Sequence, residues 1–239
     1  MGVLGNLKRT DDVEATEDRL GGGSYHQPTG LYSVTIEMAR IMEAASEAVG
    51  IVFTFVTDTG EKINITEWIS SGKAKGKKNY YEREGKKHYL PGFINVSDIC
   101  RLTVDKEVSE MDTEERLVEF WDKDAGANKP QKTDVLVELI GEKVTLGLQV
   151  ERTNQYKDPS KDRYSNIINK VFHDESQLTV VEVEAGADEA SFIKSWAERN
   201  DADYILDNFD ESQAANAAGV SGSVAGAEKK GGKLDFSKK

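Results

Sequence analysis

Cysteine, proline and histidine are scarce in this chain. Cys100 is the only cysteine among 239 residues, which also include four prolines and three histidines. A single cysteine excludes an internal disulfide and a zinc site built from several cysteines. The histidines, His26, His88 and His173, are too scattered to indicate a metal site. We therefore expect a reducing compartment, no metal and no other cofactor.

Long apolar runs and catalytic signatures are missing as well. No stretch of about 18 apolar residues occurs, so we expect no transmembrane helix. The first seven residues lack the basic and apolar pattern of a signal peptide. The sequence contains no P-loop, no Gly-X-Ser-X-Gly and no His-Glu-X-X-His. We predict a cytoplasmic protein that is not an enzyme and has no catalytic residues.

The charge balance is acidic, with 31 Lys and Arg residues against 43 Asp and Glu residues and a net charge of −12. Such a balance argues against a uniformly basic surface that coats nucleic acid. It is compatible with a local basic groove, so the distribution of the cations along the chain decides between these possibilities.

Composition divides the chain into three parts. Residues 1–24 are polar and end in Gly21-Gly22-Gly23-Ser24, which predicts a flexible arm. Residues 209–239 become rich in Ala, Gly, Ser and Lys, which predicts a disordered tail. The remaining segment, 25–208, is long enough for one hydrophobic core.

Apolar residues alternate with polar ones in several parts of this segment, which predicts β-strands. The predicted strands are 32–38, 49–55, 63–69, 144–150 and 178–183. The segments with helical spacing are shorter than the strand patterns. They predict one helix capped by Asn95 or Ser97, one that opens at 112–115 and carries Leu117, and one over 190–197. We predict a mainly β fold with inserted helices (α+β). Its core would be an OB-like five-stranded barrel with a helical insertion and a C-terminal helix.

Residues 71–93 form a basic segment, with seven cations and two acids in an otherwise acidic chain. Gly85 follows Glu82-Arg83-Glu84, and this pattern predicts a β-hairpin whose arms end near Tyr81 and His88. Aromatic residues are interleaved with the cations, and Trp68 lies just before them. The cations are Lys73, Lys75, Lys77, Lys78, Arg83, Lys86 and Lys87, and the aromatics are Tyr80, Tyr81, Tyr89 and Phe93.

This combination favours binding of single-stranded nucleic acid. Phosphates attract cations and release their counterions on binding, and unpaired bases stack on aromatic rings. We therefore predict that Trp68 and the residues of the basic segment bind single-stranded DNA with little sequence preference. The alternative is a solvated lysine-rich hairpin whose tyrosines pack on the core. Whether Trp68 is exposed for stacking or covered by a helix stays open at this level.

A second, weaker basic cluster follows the 144–150 strand. Arg152, Tyr156 and Lys157 are the secondary candidates for DNA binding, in a segment that Asp158-Pro159 marks as a loop. An ordinary polar loop is the favoured alternative. Further members of this cluster are Lys161, Arg163, Tyr164 and Lys170.

Two acidic stretches allow other interpretations. Residues 105–124 carry nine acids and three bases, which raises the possibility of a divalent-metal site, although the spacing matches no EF-hand loop. A solvated helix face is the favoured alternative. Residues 201–211 combine five acids with aromatic and apolar residues, as expected of a segment that shields a basic groove, docks on a partner, or simply ends a charged helix.

Several motifs resemble the single-stranded DNA-binding proteins of tailed bacteriophages. They are Pro28-Thr-Gly-Leu-Tyr-Ser-Val-Thr-Ile, Trp68-Ile-Ser-Ser-Gly-Lys-Ala-Lys-Gly-Lys-Lys-Asn-Tyr-Tyr, Gly85-Lys-Lys-His-Tyr-Leu-Pro-Gly-Phe, Ser109-Glu-Met-Asp-Thr-Glu-Glu and Val144-Thr-Leu-Gly. The resemblance covers roughly residues 25–200. It implies an OB-type barrel that coats single strands in the host cytoplasm during phage DNA replication or recombination, with phage or host replication proteins as further partners. The ending Gly232-Lys-Leu-Asp-Phe-Ser-Lys-Lys departs from the acidic tail of many such proteins.

Two other classes of function stay open. One is a metal-dependent DNA-processing enzyme that uses the acids of 105–124. The other is a protein-interaction module without affinity for nucleic acid. The oligomeric state does not follow from the sequence.

Overall fold

The structure is a computed structural model that describes residues 26–122 and 126–217, without the side chains of 120–122. Strands predominate in these ranges. In chain order the elements are β1 (Gly30–Glu43), β2 (Val49–Thr57), β3 (Lys62–Trp68), β4 (Tyr80–Arg83), β5 (Lys86–Tyr89), α1 (Pro91–Val104), β6 (Thr113–Asp122), β7 (Ala127–Leu136), β8 (Lys143–Asn154), β9 (Asp162–His173), α2 (Val180–Glu184), α3 (Phe192–Arg199), β10 (Ile205–Asp207) and α4 (Glu211–Ala217).

Eight of the described strands belong to one sheet. Five of them form its antiparallel main part, called the main sheet, in the order β9-β8-β1-β2-β3, and the short β10 pairs parallel with the second half of β8. The long strand β1 lies at its centre: its first half pairs with β8, and most of its length pairs with β2. The predicted alternation is clearest in β3, where Ile63 and Ile65 are buried and Asn64 and Thr66 are exposed. The mainly β, α+β class predicted from the sequence is confirmed.

The core lies between one face of this sheet and α1. Val96, Ile99 and Cys100 of α1 are fully buried against strand residues such as Phe53 and Leu146. Burial raises the pKa of the Cys100 thiol to about 12, so this cysteine is an apolar core residue and not a reactive thiolate.

The sheet does not close into a barrel in the part of the chain that the structure describes. β3 and β9 are its two edges, and no ladder pairs them. The first turns of α1 lie at this junction instead. The Nδ2 group of Asn95 donates to the backbone oxygen of Ile168 on β9 at 2.9 Å and to Oε1 of Glu67 on β3 at 3.2 Å. A side chain from α1 thus links the two edge strands where direct pairing would close the sheet.

The segment predicted as a helix from 112–115 onward is a β-hairpin, so that prediction is wrong. β6 and β7 pair in register over ten residues each. Leu117, taken as part of an apolar helix face, is 68% exposed, and none of the side chains described in β6, residues 113–119, is buried in a core that could stabilise a helix. The hairpin joins the main sheet through the pairing of Arg40 with Val135.

The predicted strand over 178–183 is also wrong, because the short helix α2 begins there. Thr179 accepts a hydrogen bond from the backbone N–H of Glu182, and the Glu182 carboxylate accepts one from the backbone N–H of Thr179. This reciprocal capping box starts a helix. The predicted helix near 190–197 is confirmed as α3, with Ile193 and Trp196 buried.

The structure describes only part of the three segments that the sequence predicts. The N-terminal arm, 1–24, and the tail beyond residue 217 lie outside the described residues. Residues 209–217 of the predicted disordered tail belong to the fold instead. The backbone N–H of Asp210 donates to Oδ1 of Asn154 at 2.7 Å, and α4 follows. No helix of the described ranges has the length and apolar character needed to cross a membrane.

Candidate nucleic-acid interface

A groove of about 950 Å³ separates the two edge strands of the sheet. Asn64, Thr66 and Trp68 line it from β3, and Arg163 and Tyr164 line it from β9. The groove is open because α1 keeps the strand edges apart. Its walls combine an indole, a phenol, an arginine and neutral polar groups, which are the kinds of side chain that bind single strands.

Trp68 is 38% exposed at the end of β3, on the same face as Asn64 and Thr66. A Cβ added at Gly50, its partner on β2, would lie 3.0 Å from Cε3 of the indole, so the ring covers this glycine closely. The question that the sequence left open is thus answered: Trp68 lies on the solvent face of the sheet, held over Gly50, and a helix does not bury it.

The first part of the basic segment forms a short 3-10 helix, Lys73–Lys75, which is anchored to the turn between β1 and β2. The backbone N–H of Lys73 donates to the backbone oxygen of Ser46 at 2.8 Å. The carboxylate of Glu47 pairs with Lys73 at 2.9 Å and with Lys77 at 2.5 Å. These two lysines hold the pKa of Glu47 below its usual value, the hydrogen bond from Lys73 contributing most. Two of the seven predicted cations are therefore partly neutralised.

The other cations of the segment have weaker partners or none among the described residues. Lys78 lies 3.8 Å from Glu82, and Arg83 lies 3.7 Å from Glu84, all at exposed positions. The structure gives no ion pair for three of them. These are Lys75, Lys86 and Lys87.

The predicted hairpin is present as β4 and β5, a separate two-stranded sheet. Its turn residues, Glu84 and Gly85, both have positive φ, at 53° and 73°, which is typical of the tight turns that join two strands. Tyr80 pairs with Tyr89 across the hairpin, and the next pair is Tyr81 with His88. The predicted ends of the arms agree with this register.

The aromatic side chains of the hairpin contact cations and one another. The Nζ atoms of Lys87 and Lys78 lie 4.7 Å and 5.2 Å from the centroid of the half-buried Tyr80 ring. Two further ring pairs are present: Tyr81 with His88 at 5.4 Å and Tyr89 with Phe93 at 5.1 Å. Tyr81 and Tyr89 are exposed. The alternative of core-packed tyrosines requires these three side chains to belong to the buried core. Among the described residues, none of the three does.

The secondary candidates are not one cluster. Arg152 lies on β8, where its guanidinium contacts Asp162 and Asp207 at 3.2 Å each and stacks over Phe209 at 4.5 Å. This arginine is therefore engaged by the acidic segment near the end of the fold and does not present a free charge. Tyr156 and Lys157 lie in the β8–β9 loop and are exposed, Tyr156 to 97%.

Several groove residues were either placed only in the weaker basic cluster or not predicted at all. Arg163 and Tyr164 were assigned to a polar loop, but they lie on β9. Tyr164 stacks with His26, their centroids 5.9 Å apart. Asn166 holds the segment before β1, exchanging hydrogen bonds with the backbone of Gln27 at 2.7 and 2.8 Å. Residues 162–168 are mostly polar and do not alternate with apolar residues, so the sequence carried no signal that placed them on a strand beside the groove.

Glu67 is the unusual titratable group of this region. Its side chain is 9% exposed and lines the groove. Oε1 of Glu67 accepts a hydrogen bond from the neutral side-chain amide of Asn95. Burial raises the pKa of the Glu67 carboxyl to about 7, while the Asn95 hydrogen bond lowers it less. Burial disfavours the charged form unless a cation compensates.

The acidic segment 105–124 gives no support for a metal centre. Within the described ranges, which omit residues 123–125, no three His, Cys, Asp or Glu side chains lie where they could share a metal ion. Its carboxylates bind lysines and arginines instead, as in the pairs Lys132–Glu115 and Arg116–Glu114, at 2.6 and 3.0 Å.

Comparison with models of known protein families gives no match, and neither does comparison with curated proteins. The function is therefore inferred from the residues of the chain and their geometry.

Proposed function

We propose that this chain binds single-stranded DNA in the groove between β3 and β9 and on the basic β4–β5 hairpin. The observation that carries the proposal is the exposed Trp68 at the junction of these two surfaces. One side of this residue continues into β3 and the groove, and the other leads directly into the lysine-rich turn at 73–75. A strand that stacks on Trp68 would have aromatic and cationic groups available in both directions.

The strand order supports an OB-type interpretation of the fold. β1, β2 and β3 form a meander, α1 comes after β3 and the intervening β4–β5 hairpin, and β8 and β9 return so that β8 pairs with β1. An OB-type barrel has five strands, is partly open, and binds oligonucleotides across its strand face. We propose that the chain has this topology with the β3–β9 seam left open and with the β6–β7 hairpin inserted.

Binding would combine electrostatic capture with stacking. The cations that lack close carboxylate partners attract phosphates, and the ring faces of Trp68, Tyr80 and Tyr89 accept any base. Weak sequence preference follows from this mechanism, and the resemblance to phage single-stranded DNA-binding proteins implies a coating role in phage DNA replication or recombination. The net charge of −12 disfavours contacts with DNA outside the basic surface.

A fluorescence titration with oligo-dT, carried out at several salt concentrations, tests this proposal. Of the three tryptophans, Trp196 is buried on the inner face of α3, and only quenching that disappears in Trp68→Phe reports on the proposed site. With three to five phosphates contacted, we expect log K to fall with log salt with a slope of about −2 to −4. A matched duplex of equal length should bind more weakly.

A pair of charge reversals locates the site. Lys86→Glu places a negative charge on the exposed hairpin, whereas Lys143→Glu makes the same change at the start of β8, outside the groove. We expect only the first to weaken binding. Equal affinity for single strand and duplex, or equal effects of both substitutions, would contradict the proposal. Magnesium-dependent loss of the oligonucleotide would favour the enzyme alternative.

A further inference from the structure

A second cavity, of about 860 Å³, adjoins the groove at Trp68. The turn between β1 and β2, the end of β3, the segment 70–75 and the start of α1 form its walls. Thr66, Glu67, Trp68 and Pro91 line both concavities, so the two lie next to each other. This cavity lies apart from the aromatic hairpin that the sequence indicated.

Close backbone packing defines the walls of this cavity. A Cβ at Gly72 would lie 2.7 Å from the backbone oxygen of Ser46, so the 3-10 turn lies directly on the β1–β2 turn. A Cβ at Gly92 would lie 2.6 Å from the backbone oxygen of Trp68, so α1 begins directly against β3. Glycine is required at both contacts, because a Cβ at either position would collide with backbone atoms.

The interior of the cavity is apolar, with one buried acid. Its walls include Trp68, Ala74, Leu90 and Pro91, and Glu67 contributes the buried acid. Apolar walls with a few polar groups are typical of a site for a flat organic ligand. A buried carboxyl with a strongly raised pKa, such as that of Glu67, is a further indication of a functional cleft.

Cations lie beside this cavity. Lys73 and Lys75 line it, and Lys75 has no ion pair among the described residues. A ligand with an apolar ring and a neighbouring anionic group would therefore match the cavity. A nucleotide within a DNA strand has both features, and the strand groove leads to this position.

We propose that the cavity beside Trp68 holds one unpaired nucleobase of the bound strand, with its phosphate at Lys75. This inference rests on the proposed function. Each of the four bases carries an amino or imino N–H group, for which a carboxyl oxygen of Glu67 is an acceptor within the cavity. The cavity thus distinguishes one nucleotide of the footprint from those that only stack along the surface.

Photo-crosslinking tests this assignment. Oligo-dT strands with a single 4-thiothymidine, moved one position at a time, are bound to the full chain, irradiated and analysed by mass spectrometry. We expect one position to crosslink to Trp68, Leu90 or Pro91. Crosslinks confined to the hairpin and to β9, with binding intact, would overturn the nucleobase site while leaving the proposed function in place.

An abasic scan and a filling substitution complete the test. An abasic residue should reduce affinity at least fivefold more at the crosslinking position than elsewhere. Ala74→Leu, at an exposed position of the cavity wall, should abolish that difference, whereas Ala127→Leu on β7 should not. A flat scan would overturn the inference and indicate that the cavity serves another ligand, such as a side chain of a partner protein. No binding of any strand would instead refute the proposed function itself.

Discussion

The indole of Trp68 lies against Gly50, the residue that pairs with it across β2 and β3. A Cβ at position 50 would be 3.0 Å from Cε3 and 3.2 Å from Cζ3 of the ring. Real side chains rarely tolerate such contacts, so the glycine sets where the indole lies. A residue that never touches the ligand thereby controls the ring proposed to stack on it.

Gly50→Ala should displace this indole and weaken DNA binding. We expect a three- to tenfold loss of affinity for oligo-dT, because stacking on one aromatic side chain contributes about 1–3 kcal/mol and only part of it is lost. Tryptophan emission should also shift towards that of a more exposed indole. Retained affinity with a shifted spectrum would show that Trp68 does not stack on DNA. Thr35→Ala, on β1 and outside the walls of the groove and of the cavity beside Trp68, is the control.

Glu47 should act as an internal competitor of the DNA phosphates. Its carboxylate pairs with both Lys73 and Lys77, so Glu47→Gln frees two cations next to the proposed site. We expect a two- to fivefold gain in affinity at low salt and a steeper salt dependence. Glu115→Gln, which releases Lys132 on the β6–β7 hairpin, makes the same change in net charge and should leave binding almost unchanged.

Tyr80 should contribute to binding and little to folding. Its ring lies between Lys78 and Lys87 on the hairpin, outside the core. Tyr80→Ala should cost about 1–3 kcal/mol of binding free energy, and Tyr80→Phe should restore most of it. Equilibrium unfolding in urea should differ little among the three proteins. A large loss of stability in Tyr80→Ala would identify the ring as structural.

The parts of the fold that sequence patterns predicted are those with a buried face. Strands such as β3 alternate strictly because one face packs on α1, and this alternation is visible in the sequence. The exposed β6 has no such face, so its acids and Leu117 were taken for a helix. The OB-type topology and the single-strand function stay predictions.

For the candidate site too, some parts could be predicted from the sequence and others could not. Local composition was enough to find the lysines and tyrosines of the basic hairpin, which are close in sequence. The engagement of Arg152 by Asp207, and the hydrogen bonds between Asn166 and Gln27, depend on residues 55 and 139 positions apart. Such contacts follow from strand register, which composition does not encode.

The buried carboxyl of Glu67 should make the stability of the protein depend on pH. Its pKa rises from 4.5 in the unfolded chain to about 7 in the fold, because burial disfavours the carboxylate. The folded protein therefore binds more protons than the unfolded chain between these values, and stability falls as pH rises from about 4.5 to 7. Below this window the carboxyl imposes no penalty, and above it the penalty is complete, at about 3 kcal/mol.

Glu67→Gln should remove this dependence, because the amide keeps an oxygen for the Asn95 hydrogen bond and carries no charge. Urea unfolding at pH 5 and pH 8 measures the effect: wild type and variant should be similar at pH 5, and the variant should be more stable at pH 8. Glu151→Gln removes a charge from the same groove outside this junction and should keep the pH dependence of the wild type. Parallel stability curves for wild type and Glu67→Gln between pH 5 and pH 8 would show that the carboxyl is ionised in the fold at neutral pH, as expected if water enters the junction between β3 and α1.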